Sequence, residues 1–185
     1  MFEIGAFIAG LIQGILAYSN KRSSWLVYAL QTVFLILFSF QQKLYGNAFQ
    51  NLLFLSYCML GYWLWGCQRF SCITTLNRHK RIMMIFGTVL LWITIWRVLS
   101  LTDDPLPQLD AATTATTVVA SILLLCRKLE TWIVWFFNDV LYMIQYLMLS
   151  EKALYLFVLY VIWTCMAIFS YKSWLTIYKK QLEQL

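Results

Sequence analysis

The feature that most constrains the fold of this chain is a series of seven long apolar runs separated by short polar segments. A helix needs roughly 20 apolar residues to cross the hydrocarbon core of a bilayer. Because hydrocarbon offers no hydrogen-bond partner, the backbone groups of each run must bond within their own segment. The runs therefore predict an all-α integral membrane protein with seven transmembrane helices. They cover approximately residues 2–19, 25–41, 47–67, 82–100, 109–126, 132–149 and 153–171.

The composition favours the same class. Of the 185 residues, 62% are hydrophobic and 12% are charged, whereas soluble domains have about 45–50% and about 25%. Seven helices of about 20 residues also leave no room for a separate soluble domain. The N-terminus carries Glu3 and lacks a basic segment, so we expect the first run to be a retained helix and not a cleaved signal peptide.

The basic residues are divided unevenly between the two sides of the predicted bundle. The side with few basic residues has Lys43 and Lys152, together with Asp103 and Asp104. Because cytoplasmic loops are enriched in Lys and Arg, we expect a multi-pass plasma-membrane protein with its N-terminus outside and its C-terminus in the cytoplasm. The eleven basic residues of the other side are Lys21, Arg22, Arg69, Arg78, Lys80, Arg81, Arg127, Lys128, Lys172, Lys179 and Lys180.

A weak internal repeat relates the two ends of the chain. An offset of 107 residues places Trp25 on Trp132 and Gln31 on Asn138, and an offset of 109 extends the match through the third helix. The repeat predicts an arrangement of three, one and three helices, in which two parallel three-helix repeats are related by an axis along the membrane normal. The predicted segments are 1–67 for the first repeat, 68–108 for a basic loop, linker helix 4 and an outer loop, and 109–185 for the second repeat and a cytoplasmic tail.

Small residues mark the first helix of each repeat. Gly10 and Gly14 form a GxxxG pair, and the fifth helix begins with the alanines and threonines of residues 111–117. Small side chains let helices approach closely in a membrane. We therefore interpret both stretches as packing surfaces.

Polar and aromatic side chains of the sixth helix share one face. At 100° per residue, Trp132, Trp135 and Asp139 point in similar directions, with Asn138 at the side. A charge in the middle of a bilayer costs about 2.5–3.5 kcal/mol on insertion scales, so it marks a functional site by default. The pattern predicts a central substrate cavity between the repeats. Helices 2 and 3 would add Tyr28, Gln31, Gln50, Asn51 and Tyr57 to it.

The residue types of this cavity indicate a ligand. A flat heteroaromatic ring would stack on Trp135 or Tyr28, sugar hydroxyls would bond to the amides, and Asp139 would favour a ring with positive charge. The alternative is that the amides only join helices, at about 0.6 kcal/mol per bond, and that the aromatics lie at the membrane interface. We favour that alternative for the tryptophans close to helix ends, which are Trp25, Trp132 and Trp174.

No catalytic or metal-binding pattern is found in the sequence. The five cysteines lack zinc-site spacing and are interpreted as small buried apolar side chains. His79 lies between Arg78 and Lys80 and is expected to be a solvated loop residue. We therefore expect no enzyme activity and no cofactor. The expected partners are a small-molecule substrate and the lipid bilayer but not nucleic acid, and a homo-oligomer is left open.

The sequence resembles the PnuC family of vitamin transporters. Residues 25–50 read WLVYALQTVFLILFSFQQKLYGNAFQ and are followed by GYWLW at residues 61–65, similar to the family's first repeat. Residues 127–139 read RKLETWIVWFFND, similar to its second repeat. The resemblance extends from residue 3 to residue 174. The chain departs from the family at Gln31, where Asn is common, and in its short N-terminus.

The resemblance implies a SWEET-like fold and facilitated diffusion of nicotinamide riboside, with phosphorylation in the cytoplasm trapping the product. It also implies that Gln31, Gln50, Trp135, Asn138 and Asp139 contact the substrate. Members of the family carry thiamine, riboflavin or deoxynucleosides, so these substrates are kept as alternatives. Two other classes, an intramembrane enzyme and a structural membrane subunit, are less favoured because no acidic cluster or His–Asp pair lies at one membrane face.

Overall fold

A computed structural model of the chain describes residues 2–18, 23–64, 72–149 and 153–183. Seven α-helices occupy these ranges, and the only β-type pairing in them is an isolated bridge between Thr74 and Lys128. Four of the helices, α2, α4, α5 and α7, are long and apolar enough to cross a membrane, and α1 contains a shorter apolar helix. The prediction of an all-helical membrane protein is thus confirmed. The helices are α1 (Phe2–Tyr18), α2 (Ser24–Gln41), α3 (Tyr45–Leu64), α4 (Arg78–Leu99), α5 (Pro107–Leu125), α6 (Thr131–Met148) and α7 (Leu154–Glu183).

Six of the helices form a closed ring, with α4 outside it. Around the ring, α1 packs on α2, α2 on α3, α3 on α5, α5 on α6, α6 on α7, and α7 on α1. The outer helix α4 packs mainly on α5 and touches α3 only slightly. Its apolar side chains stay exposed, with Met83 at 72% and Phe86 at 64%. Such a surface is expected for a helix that faces lipid.

The bundle has two chemically different ends. The basic end holds residues 72–77, residues 126–130 and the C-terminal part of α7. There, Thr74 N–H donates to the Arg127 carbonyl (3.1 Å), and Leu129 N–H donates to the Thr74 carbonyl (2.9 Å). The acidic end holds Glu3, Asp103, Asp104 and Asp110.

At the acidic end, Asp103 joins the connection after α4 to the start of α3. Its carboxylate accepts hydrogen bonds from Lys43 Nζ and from the Tyr45 hydroxyl. These bonds to Lys43 and Tyr45 hold the pKa of Asp103 below its usual value. The neighbouring Asp104 accepts from the Leu106 N–H at 2.7 Å and so caps a turn.

The helices α3 and α7 begin after apolar residues and take their caps from elsewhere in the chain. Leu44 and Ala153 precede them, and neither side chain can accept a hydrogen bond from the first free N–H groups. Asp110 of α5 accepts from Gly46 N (2.7 Å) and Asn47 N (2.8 Å) at the start of α3. At the start of α7, Glu3 of α1 accepts from Tyr155 N (2.7 Å) and Leu156 N (3.3 Å).

Two helices extend further than the apolar runs predict. Helix α4 begins at Arg78 because Asn77 Oδ1 accepts the Lys80 N–H at 2.9 Å as an N-cap. His79 is therefore an exposed residue of the first helical turn and not a loop residue. Helix α7 continues to Glu183, beyond the predicted end at residue 171, and is held at the basic end by a bond from Ile73 N–H to Gln181 Oε1 (3.2 Å).

The cysteines only partly follow the sequence interpretation. Cys58 is buried at 2% exposure, but Cys72, Cys126 and Cys165 are exposed. Cys67 lies outside the described residues. The interpretation as buried side chains is therefore wrong for three of them, because Cys72 and Cys126 lie at the basic end, and Cys165 lies on α7, where an apolar helix can face lipid as well as the protein interior.

Glycines allow the closest helix contacts in the ring. A Cβ atom on Gly10 would lie 2.7 Å from Leu159 Cδ2 of α7, and one on Gly14 would lie 3.0 Å from the Met166 sulfur. The packing role predicted for the GxxxG pair is thus confirmed. On the other side of the ring, a Cβ atom on Gly61 of α3 would lie 2.5 Å from the ring of Trp25.

We expect Gly61→Ala to lower the unfolding temperature of the purified protein. The indole of Trp25 cannot deform, so either helix α3 or the indole itself must move. Overpacking of this kind costs about 1–3 kcal/mol. Gly87→Ala is the matched control, since nothing lies within 4 Å of a Cβ atom there. Thermal unfolding of both variants in the same detergent measures the difference. Equal unfolding temperatures would contradict the close α2–α3 contact.

Candidate functional site

A cavity of about 310 Å³ lies between α1, α2, α6 and α7 and reaches the basic end. It extends from Asp139, in the middle of α6, to the connecting residues Ile73 and Arg127. The volume is at the lower end of the range for small-molecule sites, about 300–1,000 Å³. The other lining residues are Gln13, Gly14, Ser24, Trp25, Tyr28, Leu124, Trp132, Trp135, Trp163, Met166, Ala167, Ser170, Ser173, Trp174 and Ile177.

The walls are dominated by aromatic rings from helices that face each other. Trp132 of α6 and Trp174 of α7 pack edge to face, with centroids 5.3 Å apart. Tyr28 of α2 lies with its ring centroid 4.7 Å from Phe54 and 6.5 Å from Trp163. Rings held by other rings keep their orientation, so these walls are a preformed surface for a flat ligand.

An acidic and a basic side chain lie at different depths of the cavity. Among the described residues that line it, Asp139 carries the one acidic group and Arg127 the one basic group. Asp139 is 2% exposed, and its Oδ1 atom has no hydrogen-bond partner in the part of the chain that the structure describes. A buried carboxylate oxygen without a partner is costly. This position is therefore prepared for a ligand that bears a positive charge or a hydrogen-bond donor.

Arg127 has a backbone conformation that few residues adopt. Its φ angle is 48°, in the left-handed region that favours glycine. The Thr74 N–H bond to the Arg127 carbonyl holds this conformation at the basic end. Arg127 therefore lines the mouth of the cavity, and the conformation of the connection between α5 and α6, not a helix, sets the direction of its side chain.

Toward the acidic end the cavity is closed by a tyrosine cluster, which consists of Tyr142, Tyr146 and Tyr160. All three side chains are at most 4% exposed. Their ring centroids are 4.5 Å apart for Tyr142 and Tyr160, 5.5 Å for Tyr146 and Tyr160, and 5.6 Å for Tyr142 and Tyr146. Phe38 of α2 packs against Tyr146 at 6.0 Å. The cluster separates the cavity from the opposite end of the bundle.

The structure brings three of the predicted site residues together in this cavity. Tyr28, Trp135 and Asp139 all line it. Asn138 does not line it, since its Oδ1 atom accepts hydrogen bonds from the hydroxyls of Thr116 (2.6 Å) and Thr117 (3.2 Å) on α5. On the helical wheel Asn138 is at the edge of the predicted stripe, and the packing of α5 against α6 covers that edge.

Two other predicted residues belong to a buried polar network between α3, α5 and α6. Gln50 Nε2 donates to the Tyr142 hydroxyl (2.5 Å), and that hydroxyl donates to Asn47 Oδ1 (2.8 Å). Asn47 Nδ2 in turn donates to Gln145 Oε1 at 3.2 Å. Asn51 donates to the Asn47 carbonyl at 2.8 Å. The network lies beside the tyrosine cluster, on the acidic side of the cavity.

The remaining two predicted residues lie apart from the network. Tyr57 packs against Phe54, with centroids 5.9 Å apart, behind the cavity wall. Gln31 is fully buried, and neither atom of its side-chain amide finds a partner among the described residues. Its Nε2 atom lies against Gly10 of α1. An amide in this state needs a water molecule or a ligand group, because each unpaired buried polar atom costs about 1–3 kcal/mol.

Sequence reasoning missed much of the cavity wall. Trp25, Trp132 and Trp174 line the cavity, although their positions near helix ends suggested the membrane interface. The wall formed by α7 was not predicted at all. A signal for it exists, since Trp163, Met166, Ser170, Trp174 and Ile177 recur at spacings of three and four residues and form one stripe of a helix.

Comparisons with known proteins agree with this architecture. The family model described as nicotinamide mononucleotide transporter matches residues 1–176. The nicotinamide riboside transporter PnuC of Neisseria mucosa is 22% identical over an alignment of 197 positions. The alignment covers 97% of this chain and 73% of that protein. The crystal structure of the vitamin B3 transporter PnuC superimposes with a TM-score of 0.80 at 20% identity, covering 97% of this chain and 82% of that one.

We expect Ser170→Cys to react with a water-soluble thiol reagent and Ser39→Cys to resist it. Both serines are buried, at 9% and 3% exposure, but only Ser170 lines the cavity. The native cysteines are first replaced by serine or alanine, and labelling of the folded, purified protein is measured by mass spectrometry. Equal rates at the two positions would show that water does not fill this cavity.

Proposed function

Because the chain belongs to the nicotinamide mononucleotide transporter family, which includes the PnuC carriers, we propose that it carries nicotinamide riboside across a membrane by facilitated diffusion. The observation that supports this most directly is the aromatic cavity with the single carboxylate of Asp139. Nicotinamide riboside has a flat cationic ring, which such a cavity would hold between ring faces and beside a negative charge. Its ribose hydroxyls would bond to polar side chains nearby.

The two ends of the ligand would occupy different parts of the cavity. Asp139 and Trp135 are one turn apart on α6, so a ring stacked on Trp135 lies within reach of the carboxylate. Gln31, at a similar depth on α2, is buried behind the cavity lining, and its two amide atoms have no partner among the described residues, so a small movement of its side chain would let it bond to a hydroxyl group. We therefore propose Tyr28, Gln31, Trp135 and Asp139 as substrate-contacting residues. Four other predicted residues would lie behind the cavity lining and hold its helices in place. They are Gln50, Asn51, Tyr57 and Asn138.

The riboside and the mononucleotide differ by one phosphate, and the charges of the cavity favour the riboside. A phosphate carries about −1.5 to −2 charge near neutral pH, which Asp139 would repel from the deep part of the cavity. Arg127 offers a counter-charge only at the mouth. The PnuC relative of Neisseria mucosa is named for the riboside as well. Phosphorylation in the cytoplasm would then convert the ligand into a form that this cavity holds poorly, and so trap it.

For the architecture we propose seven transmembrane helices in the arrangement of three, one and three, with segments 1–67, 68–108 and 109–185. The position of α4 outside the six-helix ring supports this, as does the contact of α1 with α7 and of α3 with α5. We propose that the basic end faces the cytoplasm of the plasma membrane and that the N-terminus is outside. In this orientation the cavity is reached from the cytoplasm. A catalytic role is not proposed.

We expect Asp139→Asn to lower the affinity for nicotinamide riboside by about tenfold or more. Removing the charge costs the attraction between two opposite charges in a desolvated site, and about 1.4 kcal/mol corresponds to a factor of ten. The dihydro form of the ligand has the same shape and a neutral ring, so its affinity should change little. Calorimetry with both ligands measures the difference, and Asp103→Asn, an acid outside the cavity, is the control. An equal loss of affinity for the cationic and the dihydro ligand would argue against recognition of the positive charge by Asp139.

We expect Trp135→Ala to weaken binding by about ten- to a hundredfold, on the scale of about 1–3 kcal/mol for a stacked base. Trp174→Ala should weaken binding too, because Trp174 is part of the cavity wall. Phe137→Ala is the control, since that ring is 60% exposed on the same helix and does not line the cavity. Unchanged affinity in a folded Trp135→Ala protein would show that the ligand lies elsewhere.

Purified protein in liposomes should take up nicotinamide riboside until the inside and outside concentrations are equal. An imposed proton or sodium gradient should not change that end point, because uncoupled diffusion only equalises the substrate. Parallel assays with nicotinamide mononucleotide, thiamine, riboflavin and deoxynucleosides test the substrate. Accumulation above equilibrium would overturn the uncoupled mechanism, and uptake of another compound in place of the riboside would overturn the substrate.

A further inference from the structure

The caps of α3 and α7 join the two halves of the ring in opposite directions. One half contains α1, α2 and α3, and the other contains α5, α6 and α7. Glu3 belongs to the first half and binds the first N–H groups of α7 in the second. Asp110 belongs to the second half and binds the first N–H groups of α3 in the first half. Each half thus supplies the cap for a helix of the other.

This exchange follows the internal repeat of the sequence. The offset of 107 residues that aligns Trp25 with Trp132 also places Glu3 on Asp110. The offset of 109 places the donors at Gly46 and Asn47 on those at Tyr155 and Leu156. The apolar residues that precede the two helices, Leu44 and Ala153, are related by 109 as well. The same interaction is therefore built twice, once from each repeat.

Each cap replaces one that the local sequence cannot provide. The first four N–H groups of a helix have no partner within it, and the leucine and alanine before these helices have no acceptor side chain. A carboxylate suits this position because the helix N-terminus carries partial positive charge. Asp110 is fully buried, so its two bonds are shielded from water. Separating α3 from α5, or α7 from α1, would leave both the carboxylate and the N–H groups unpaired.

The two caps lie at the end where the halves are closed. Away from this end, the halves are separated by the cavity, with Trp25 and Tyr28 on one side and Trp132 and Trp174 on the other. The cap at α3 also connects to the floor of the cavity. Asn47 gives its N–H to Asp110, and its side chain accepts from the hydroxyl of Tyr142 in the tyrosine cluster.

We propose that Glu3 and Asp110 are a pair of latches that hold the acidic end of the carrier closed and separate when the cavity opens to that side. The proposal rests on the proposed function in that a carrier must open to both sides in turn. The carboxylates act on the conformation and do not contact the substrate. Their removal should favour the state that is open at the acidic end.

The test measures distances between spin labels in the purified protein without substrate. One pair, at Gln41 and Val158, spans the two halves near the acidic end, and a second pair, at Leu26 and Ile177, spans them near the basic end. Glu3→Ala removes the one oxygen that accepts both bonds, and Asp110→Asn replaces one of two accepting oxygens with an NH₂ group, so each should shift the first pair toward longer distances and the second toward shorter ones. Loss of a helix cap should change the ratio of the two states by about fivefold, and the double variant should shift it further than either single one.

Two further variants make the result specific. Glu130→Ala removes a carboxylate that also accepts a backbone N–H, from Leu76 at 2.9 Å, but at the basic end, so the acidic-end distance should not lengthen. Gly46→Ala keeps every charge and places a Cβ atom 2.8 Å from Asp110 Oδ2, so it should open the same latch even if Asp110→Asn fails to fold. Folded latch variants with unchanged distances would overturn the proposal. Because no substrate is used, a failed uptake assay would overturn the proposed substrate and leave this result standing.

Discussion

The start of two helices without a local cap is the constraint on which this structure depends. The first N–H groups of a helix have no partner within it, and α3 and α7 begin at positions where the preceding residue offers no acceptor. Glu3 and Asp110 supply the missing acceptors from distant parts of the chain. This requirement brings α1 against α7 and α3 against α5, which closes the ring. The glycines at the α1–α7 contact then allow the helices to approach closely enough for the caps to form.

The polar residues of the interior divide into two groups by their partners. Gln50, Asn47, Asn138 and Gln145 bond to neighbouring helices, so they fix the packing of α3, α5 and α6. Gln50, Asn138 and Gln145 each keep one buried amide atom without a partner in the described ranges, whereas Gln31 has no partner at either amide atom and Asp139 has none at Oδ1. A side chain that bonds to a neighbouring helix has a packing role, and one without such a bond needs a ligand or water to offset its cost. Of the two residues left by this distinction, Asp139 lines the cavity and Gln31 lies behind its lining.

The helices could be predicted from the sequence because apolar runs of about 20 residues permit little else in a bilayer. Tyr28, Trp135 and Asp139 were found for a related reason, since helical periodicity fixes directions along one helix. Trp25, Trp132 and Trp174 were misplaced because a tryptophan near a helix end is equally suited to a lipid interface and to the mouth of a cavity. The partnership of Asn138 with α5 depends on which helices are neighbours, and hydropathy does not contain that information. The Glu3–Asp110 relation was present in the offset of 107 residues, but its meaning needed the position of the helix starts.

The proposed repeat is symmetric where the halves are joined and asymmetric where the ligand would bind. Trp25 pairs with Trp132, and Tyr28 pairs with Trp135, by the offset of 107, and all four rings line the cavity. The same offset pairs Asp139 with Thr32, whose hydroxyl is bonded to the Tyr28 carbonyl at 2.8 Å. The cavity therefore has aromatic walls on both sides but a carboxyl group on only one. Two similar walls would hold a flat ring from either face, and the single carboxylate would decide which way the cationic end points. A carrier whose two halves move against each other can thus keep symmetric contacts between them and still bind an unsymmetric molecule in one orientation, because the orientation is set by one residue that the repeat does not duplicate.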